Sequence, residues 1–124
     1  MGRKGDAAAG RMAHRLGLRA EMLAAMLLRL KGYRILAQRL KTPAGEIDMV
    51  ARRGRSLAIV EVKARGEPGS AAEALRPRQL RRLERAAAHF LGRNPALAEL
   101  DLRFDLVLVV PFRLPCHLPD AWRP

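Results

Sequence analysis

One cysteine, Cys116, stands in a chain of 124 residues, so no disulfide can form within it. That fits a reducing compartment, the cytoplasm first. Aromatic side chains are scarce: Tyr33, Phe90, Phe104, Phe112 and Trp122 make up 4% of the chain. A platform that stacks single-stranded bases needs several exposed rings, and this composition argues against one. The core must come from Leu, Val, Ile and Ala. Long apolar runs are absent too. The longest near the start, residues 22–28, falls far short of the ~20 residues that a spanning helix needs. Glu21, Arg29 and Lys31 flank it too tightly for a signal-peptide core, and no membrane partner is expected. His14 and the Cys116-His117 pair are too few and too scattered for a zinc site.

Acids are the next scarcity. Lys and Arg total 24 against 12 Asp and Glu, a net charge of +12. Such a chain favours a polyanionic partner, nucleic acid before an anionic membrane. A generally arginine-rich proteome would give the same balance without any such partner. Only four of the basic residues are Lys, so a lysine at a special position carries some information.

The length fits one domain with a modest core. Residues 1–6 read as a loose basic tail. Helical periodicity follows over 7–31, with Leu16, Ala20, Leu23, Leu27 and Leu30 as its apolar stripe. Gly10 and Gly17 weaken its first half, and Gly32 is a natural stop. A strand begins at Tyr33 and ends before Thr42-Pro43-Ala44-Gly45. Two further strands, 46–51 and 56–64, form a hairpin through Arg52-Arg53-Gly54-Arg55. A Gly- and Pro-rich loop covers 65–70. A second helix spans 76–91, with Pro77 in its first turn and Leu80, Leu83, Ala87 and Phe90 on its buried stripe. His89 adjoins that stripe and reads as structural. A helical turn at 96–100 and a strand at 102–110 follow, the strand interrupted by Asp105. Three prolines soon after position 110 predict an irregular tail over 113–124, leaving 7–112 as the domain. The order of elements predicts an α/β fold, a small mixed β-sheet flanked by helices.

The hairpin holds the chemistry. Three of the chain's acids, Glu46, Asp48 and Glu61, lie in it despite the net positive charge. With the turn centred on Arg53-Gly54, residue 48 faces 59 and Glu61 is its diagonal neighbour; a shift by two sets Asp48 opposite Glu61. In either register Glu46, Asp48, Ile59, Glu61 and Lys63 share one face. Ile47, Met49, Ala58, Val60 and Val62 share the other, which reads as core. Carboxylates gathered on a half-buried face lose hydration and repel one another, and a divalent cation, Mg²⁺ or Mn²⁺, compensates both. Lys63 fits a water-orienting, charge-stabilising role beside them. Spacing alone is better served by an ordinary Glu61–Lys63 charge pair on a half-exposed strand, with Asp48 at a strand end. Glu21, beside the first helix's stripe, reads as a surface glutamate paired with an arginine.

Gly45-Glu46-Ile47-Asp48 followed by Val60-Glu61-Val62-Lys63-Ala64-Arg65 resembles the signature of the YraN-type family of small bacterial proteins. That family is expected to have the restriction-endonuclease-like, PD-(D/E)xK fold shared with archaeal Holliday-junction resolvases. Leu16-Gly17 through Glu21, Lys31-Gly32-Tyr33-Arg34-Ile35-Leu36 and Arg103-Phe104-Asp105 resemble the family's opening helix, first strand and late strand. The resemblance implies a nuclease-like site with Asp48 and Glu61 as metal ligands, the Val62 carbonyl as a further ligand and Lys63 as the catalytic lysine. It makes Glu21 a candidate acid from the opening helix. Two stretches depart from the family pattern: Gln38-Arg39-Leu40-Lys41 stands where Arg-Asn-Trp-Arg is usual, and Gln79 where a lysine is usual.

The function implied is an endonuclease dependent on Mg²⁺ or Mn²⁺, acting on DNA more than RNA. The expected phosphate contacts are Arg52, Arg53, Arg55 and Arg65 around the hairpin, and Arg76, Arg78, Gln79, Arg81, Arg82 and Arg85 on the second helix. A homodimer would suit cutting of two strands. The alternatives are a nucleic-acid-binding module with a vestigial site, and a basic domain that docks on an acidic protein.

Overall fold

Alternating and near-continuous apolar residues between positions 34 and 109 build a sheet, and two amphipathic helices cover it. The computed structural model describes residues 18–64 and 76–123. The N-terminal tail, the start of the first helix with Leu16, and the loop with Arg65 lie outside the described residues. Helix α1 covers 18–30. Strands β1 (Arg34–Thr42), β2 (Gly45–Arg53) and β3 (Ser56–Ala64) follow, then helix α2 (Pro77–Arg93) and a 3₁₀ turn (Pro95–Leu97). Strands β4 (Asp101–Val109) and β5 (Cys116–Trp122) complete the order. The sheet runs β1-β2-β3-β4-β5. Every neighbouring pair is antiparallel except β3 and β4, which are parallel. A parallel pair needs a long crossover, and the segment containing α2 supplies it. The result is the expected α/β architecture, a mixed five-stranded sheet consistent with a restriction-endonuclease-like fold.

Each face of the sheet has its own core. Ala20, Ala24, Ala25 and Leu28 of α1 pack on Met49, Ala51, Ala58, Val60, Val107 and Val109. Leu83, Ala86, Ala87 and Phe90 of α2 pack on Ile47, Val50, Leu57, Ile59 and Phe104. The α2 stripe follows the sequence pattern, with Leu80 at its partly buried edge. The α1 stripe follows it only in part, with Ala20 buried as expected. Leu23 is 40% exposed and Leu30 85%, beside the exposed Met22 and Met26. The alanines face the sheet instead, and their small side chains let the helix backbone approach it closely. This rotation carries Glu21, one helical turn before Ala25, toward the sheet.

Of the two registers open to the hairpin the shifted one is found, and the expectation of an irregular tail is corrected. The hairpin turn centres on Gly54-Arg55, because Arg53 pairs with Ser56 and Met49 with Val60. Extending that register sets Asp48 opposite Glu61. The irregular tail is strand β5. Its residues pair with β4 from Leu108↔Cys116 to Phe104↔Trp122. Pro119 is tolerated because β5 is an edge strand. Trp122 stacks on Phe104 with ring centroids 5.3 Å apart and anchors the end of the strand. Between them the register shifts, and Asp120 takes a positive φ of 53°. That bulge aims the Asp120 N–H at Asp105 Oδ1, 2.9 Å away.

Asp105 does not interrupt β4. It is fully buried and accepts from Arg103 through both carboxylate oxygens, each at 2.8 Å. His117 Nε2 lies 2.7 Å from Oδ2. Burial by itself would raise the pKa of Asp105, but the hydrogen bonds from His117, Arg103 and the Asp120 N–H hold it down at about 2. Tyr33 and Lys31 extend the network, with Arg103 bonded to the Tyr33 hydroxyl and Lys31 Nζ to His117 Nδ1. A buried charge thus ties the end of α1 to β4 and β5.

Candidate active site

The β2–β3 ladder ends at Met49↔Val60, and beyond it the strands part. Asp48 sits at this fork. Its Oδ2 accepts the backbone N–H of Val62 at 2.8 Å, so a side chain replaces the next ladder bond. The expected alternation of faces breaks at the same place. Ile47 is buried on the α2 side of the sheet rather than with Met49 on the α1 side. The Glu46 charge still helps to raise the Asp48 pKa, but Glu46 also has a partner of its own. Its carboxylate lies 3.9 Å from Arg39 Nε, and Glu21 of α1 lies 3.7 Å from the same nitrogen. Arg39 adopts φ 52°, a backbone conformation uncommon outside glycine. The structure therefore gathers Glu21 and Glu46 around Arg39, beside the Asp48–Glu61 pair. Among the described residues no third acid, His or Cys joins that pair in a cluster of potential ligands.

Glu61 is 4% exposed. Its Oε1 accepts from Gln79 Nε2 of α2 at 3.1 Å and lies 3.3 Å from Lys63 Nζ. Its Oε2 is buried with no hydrogen-bond partner. A buried carboxylate oxygen without a partner is costly. Burial first, and the Asp48 charge second, push Glu61 up to about 7, against the opposing pull of Lys63 and Arg82. Asp48 is raised as well, again chiefly by burial, with the Val62 N–H and Lys63 opposing. Two neighbouring carboxylates thus hold their negative charge at a cost, with one lone-pair site left open.

That donor set fits a hard divalent cation. Mg²⁺ commonly takes one or two carboxylates and completes its shell with water and substrate oxygens, so the pair suffices without a third acid. Lys63 pairs with Glu61 and is still 25% exposed at its side chain, so its ammonium can face a solvent-borne group.

The remaining expected residues divide into two groups. Arg76, just before α2, and Arg78, Arg81 and Arg85 on it lie exposed. Gln79 and Arg82 turn inward, Arg82 donating to Gln79 Oε1 at 3.2 Å and to the Glu46 carbonyl at 3.1 Å. Arg52, Arg53 and Arg55 sit at the hairpin turn, four residues or more and so at least roughly 13 Å along the strand from Asp48. Their guanidinium groups are engaged within the chain: Arg52 with the Gly54 carbonyl, Arg53 with the Lys31 carbonyl and the Tyr33 ring, Arg55 with the Glu99 carbonyl. The Asp105 network and the bridging position of Arg39 were not foreseen. Arg103-Phe104-Asp105 held a signal, since an acid and an arginine two apart on a strand share one face.

Comparison with known proteins follows the same residues. The model of the uncharacterised protein family UPF0102 matches residues 20–109, from α1 to the end of β4. A UPF0102 protein of Parvibaculum lavamentivorans is 74% identical over 98% of this chain and 92% of its own length. One from Paramagnetospirillum magneticum is 58% identical over 90% of this chain and 89% of its own. One from Caulobacter vibrioides is 50% identical over 91% and 90%. The chain belongs to the UPF0102 family, the YraN-type family that its hairpin motif resembles.

Proposed function

We propose that this protein is a metal-dependent endonuclease that hydrolyses phosphodiester bonds of nucleic acid, DNA before RNA, in the cytoplasm. The observation that carries the reading is the buried, unpartnered Oε2 of Glu61 next to Asp48, with Lys63 on the other oxygen. Asp48, Glu61 and the Val62 carbonyl would hold Mg²⁺ or Mn²⁺. Bound there, the ion would acidify a water and offset charge on the attacked phosphate. Lys63 orients that water or a phosphate oxygen and stabilises the charge that develops. The exposed arginines of α2 hold the backbone of the substrate without reading its sequence. A net charge of +12 supports the same partner. A homodimer would present two sites to two strands.

The test is cleavage of plasmid, linear duplex, single strand, branched junction and RNA with Mg²⁺, Mn²⁺ or EDTA. Asp48→Ala, Glu61→Ala and Lys63→Ala are run beside the wild type. Metal-dependent cutting that all three substitutions abolish is the expected result, and it names the substrate. Cutting that survives them belongs to a contaminant and overturns the assignment. Salt-sensitive binding without cutting points to a binding module with a vestigial site.

A further inference from the structure

Gly45 opens β2 with φ +137°, a conformation that favours glycine. A Cβ at this position would overlap Arg82 Nη1 and come within 3.1 Å of its Cδ and 3.3 Å of its Cγ. The missing side chain is therefore what lets the Arg82 guanidinium cross from α2 onto the start of β2. There Nη1 donates to the Glu46 carbonyl at 3.1 Å, and Nε donates to Gln79 Oε1 at 3.2 Å. Gln79 Nε2 in turn donates to Glu61 Oε1 at 3.1 Å.

The chemistry of the three groups fixes the direction of this chain. A guanidinium has only donors, so it selects the oxygen end of the Gln79 amide. The NH₂ end is then the one that meets Glu61. An amide released from Arg82 can flip and set its oxygen against a carboxylate. With the amide held, Glu61 Oε1 is satisfied by Gln79 and Lys63, and Oε2 alone stays open. Arg82 differs in this from Arg78, Arg81 and Arg85, which lie exposed on the same helix.

We propose that Arg82 is a positioning residue: seated over Gly45, it locks the Gln79 amide so that one oxygen of Glu61 is held and the other is presented to a metal ion. The inference rests on the metal-site reading above and deepens it. Arg82 acts through Gln79 and does not touch the substrate. The alternative role for the residue is a phosphate contact like its exposed neighbours.

Two measurements on the full chain, without nucleic acid, decide between these roles. The first is the ¹H–¹⁵N signal pair of the Gln79 side-chain amide. The second is Mn²⁺ affinity by calorimetry. In Arg82→Ala we expect the Gln79 signals to move to the positions of a free glutamine amide and Mn²⁺ affinity to fall about tenfold. Gln79→Ala should lose a similar factor, and the double variant no more than either alone. Arg82→Lys can reach one of the two acceptors and should restore part of both readouts. It also carries the test if Arg82→Ala does not fold. Unmoved Gln79 signals, or losses that multiply as independent effects, overturn the proposal. Failure of the wild type to bind Mn²⁺ would overturn the metal-site reading instead, and the Gln79 signals would still decide whether the clamp exists.

Discussion

Asp48 Oδ2 and the Val62 N–H, 2.8 Å apart, close the fork where β2 and β3 stop pairing. One carboxylate oxygen thus has a structural duty in addition to any role toward a metal. Asp48→Asn keeps an acceptor for Val62 and removes the charge. Asp48→Ala leaves a part-buried N–H without its partner, which costs about 1–3 kcal/mol. We expect urea denaturation to find the Asn variant near wild-type stability and the Ala variant lower by that amount. Both should lose Mn²⁺ binding in calorimetry. Equal stability of the two variants would mean that water replaces the bond.

Glu61 makes the folded state sensitive to pH in the direction opposite to most carboxylates. Its pKa rises from 4.5 to about 7 on folding, because burial and the Asp48 charge penalise the ionised form. The folded state therefore holds a proton that the unfolded state has released. Stability falls as pH climbs from 4.5 through 7, by about 3 kcal/mol if fully realised. Glu61→Gln removes this pH dependence. The variant should gain stability over the wild type with rising pH, by roughly 2 kcal/mol at pH 8 and little at pH 4. Denaturant titrations of both proteins at several pH values check this. A stability gap independent of pH would refute it.

Asp105 behaves in the ordinary sense. Hydrogen bonds in the folded state hold it at about 2, below the unfolded value of 3.8. The contribution is complete above the unfolded value and is lost as pH falls through the folded one. Replacing one partner of a buried ionic network costs about 3–5 kcal/mol. Asp105→Asn should therefore lower the melting temperature by roughly 10 °C or more near neutrality. The gap from wild type should narrow as pH falls from 3.8 toward 2. Circular dichroism melts across that range would show it.

Gly45→Ala combines backbone strain with a side-chain clash. The positive φ and the overlap with Arg82 both oppose a Cβ. We expect a loss of about 2 kcal/mol in chemical denaturation. In an Arg82→Ala background the same change should cost less, because only the strain is left. Equal costs in the two backgrounds would show that Arg82 adapts freely.

On the proposed function, the exposed arginines of α2 would bear on substrate affinity alone. Replacing Arg78, Arg81 and Arg85 together by Ala should weaken DNA binding. Its salt dependence should flatten by roughly 0.9 in log–log slope for each phosphate that is no longer neutralised. Mn²⁺ affinity should not change. Fluorescence anisotropy over a salt series, beside calorimetry, separates the two.

The sequence by itself determined the elements up to β4 and the identity of the charged hairpin. Near-continuous apolar runs can only be buried strands, and the α2 stripe could face only one way. Glu61 and Lys63, two apart on a strand, had to share a face. The tertiary structure decided the rest. The α1 pattern held two apolar stripes that share Ala20, and packing on the sheet selected the one with Ala24, Ala25 and Leu28 over the one with Leu23 and Leu30. The hairpin pattern admitted two registers, and the ladder selected the one shifted by two, with Met49 on Val60. Strict alternation would keep Ile47 with Met49, but the period breaks where the strands part, and Glu46 lies beside Arg39. The prolines of the tail argued against a strand, yet Trp122 on Phe104 and the Asp120 N–H on Asp105 hold β5 in place. The inward turn of Gln79 and Arg82 joins α2 to Gly45, Glu46 and Glu61, residues far from it in the chain. Local periodicity carries no record of such pairings, because they form only when a helix settles on a sheet.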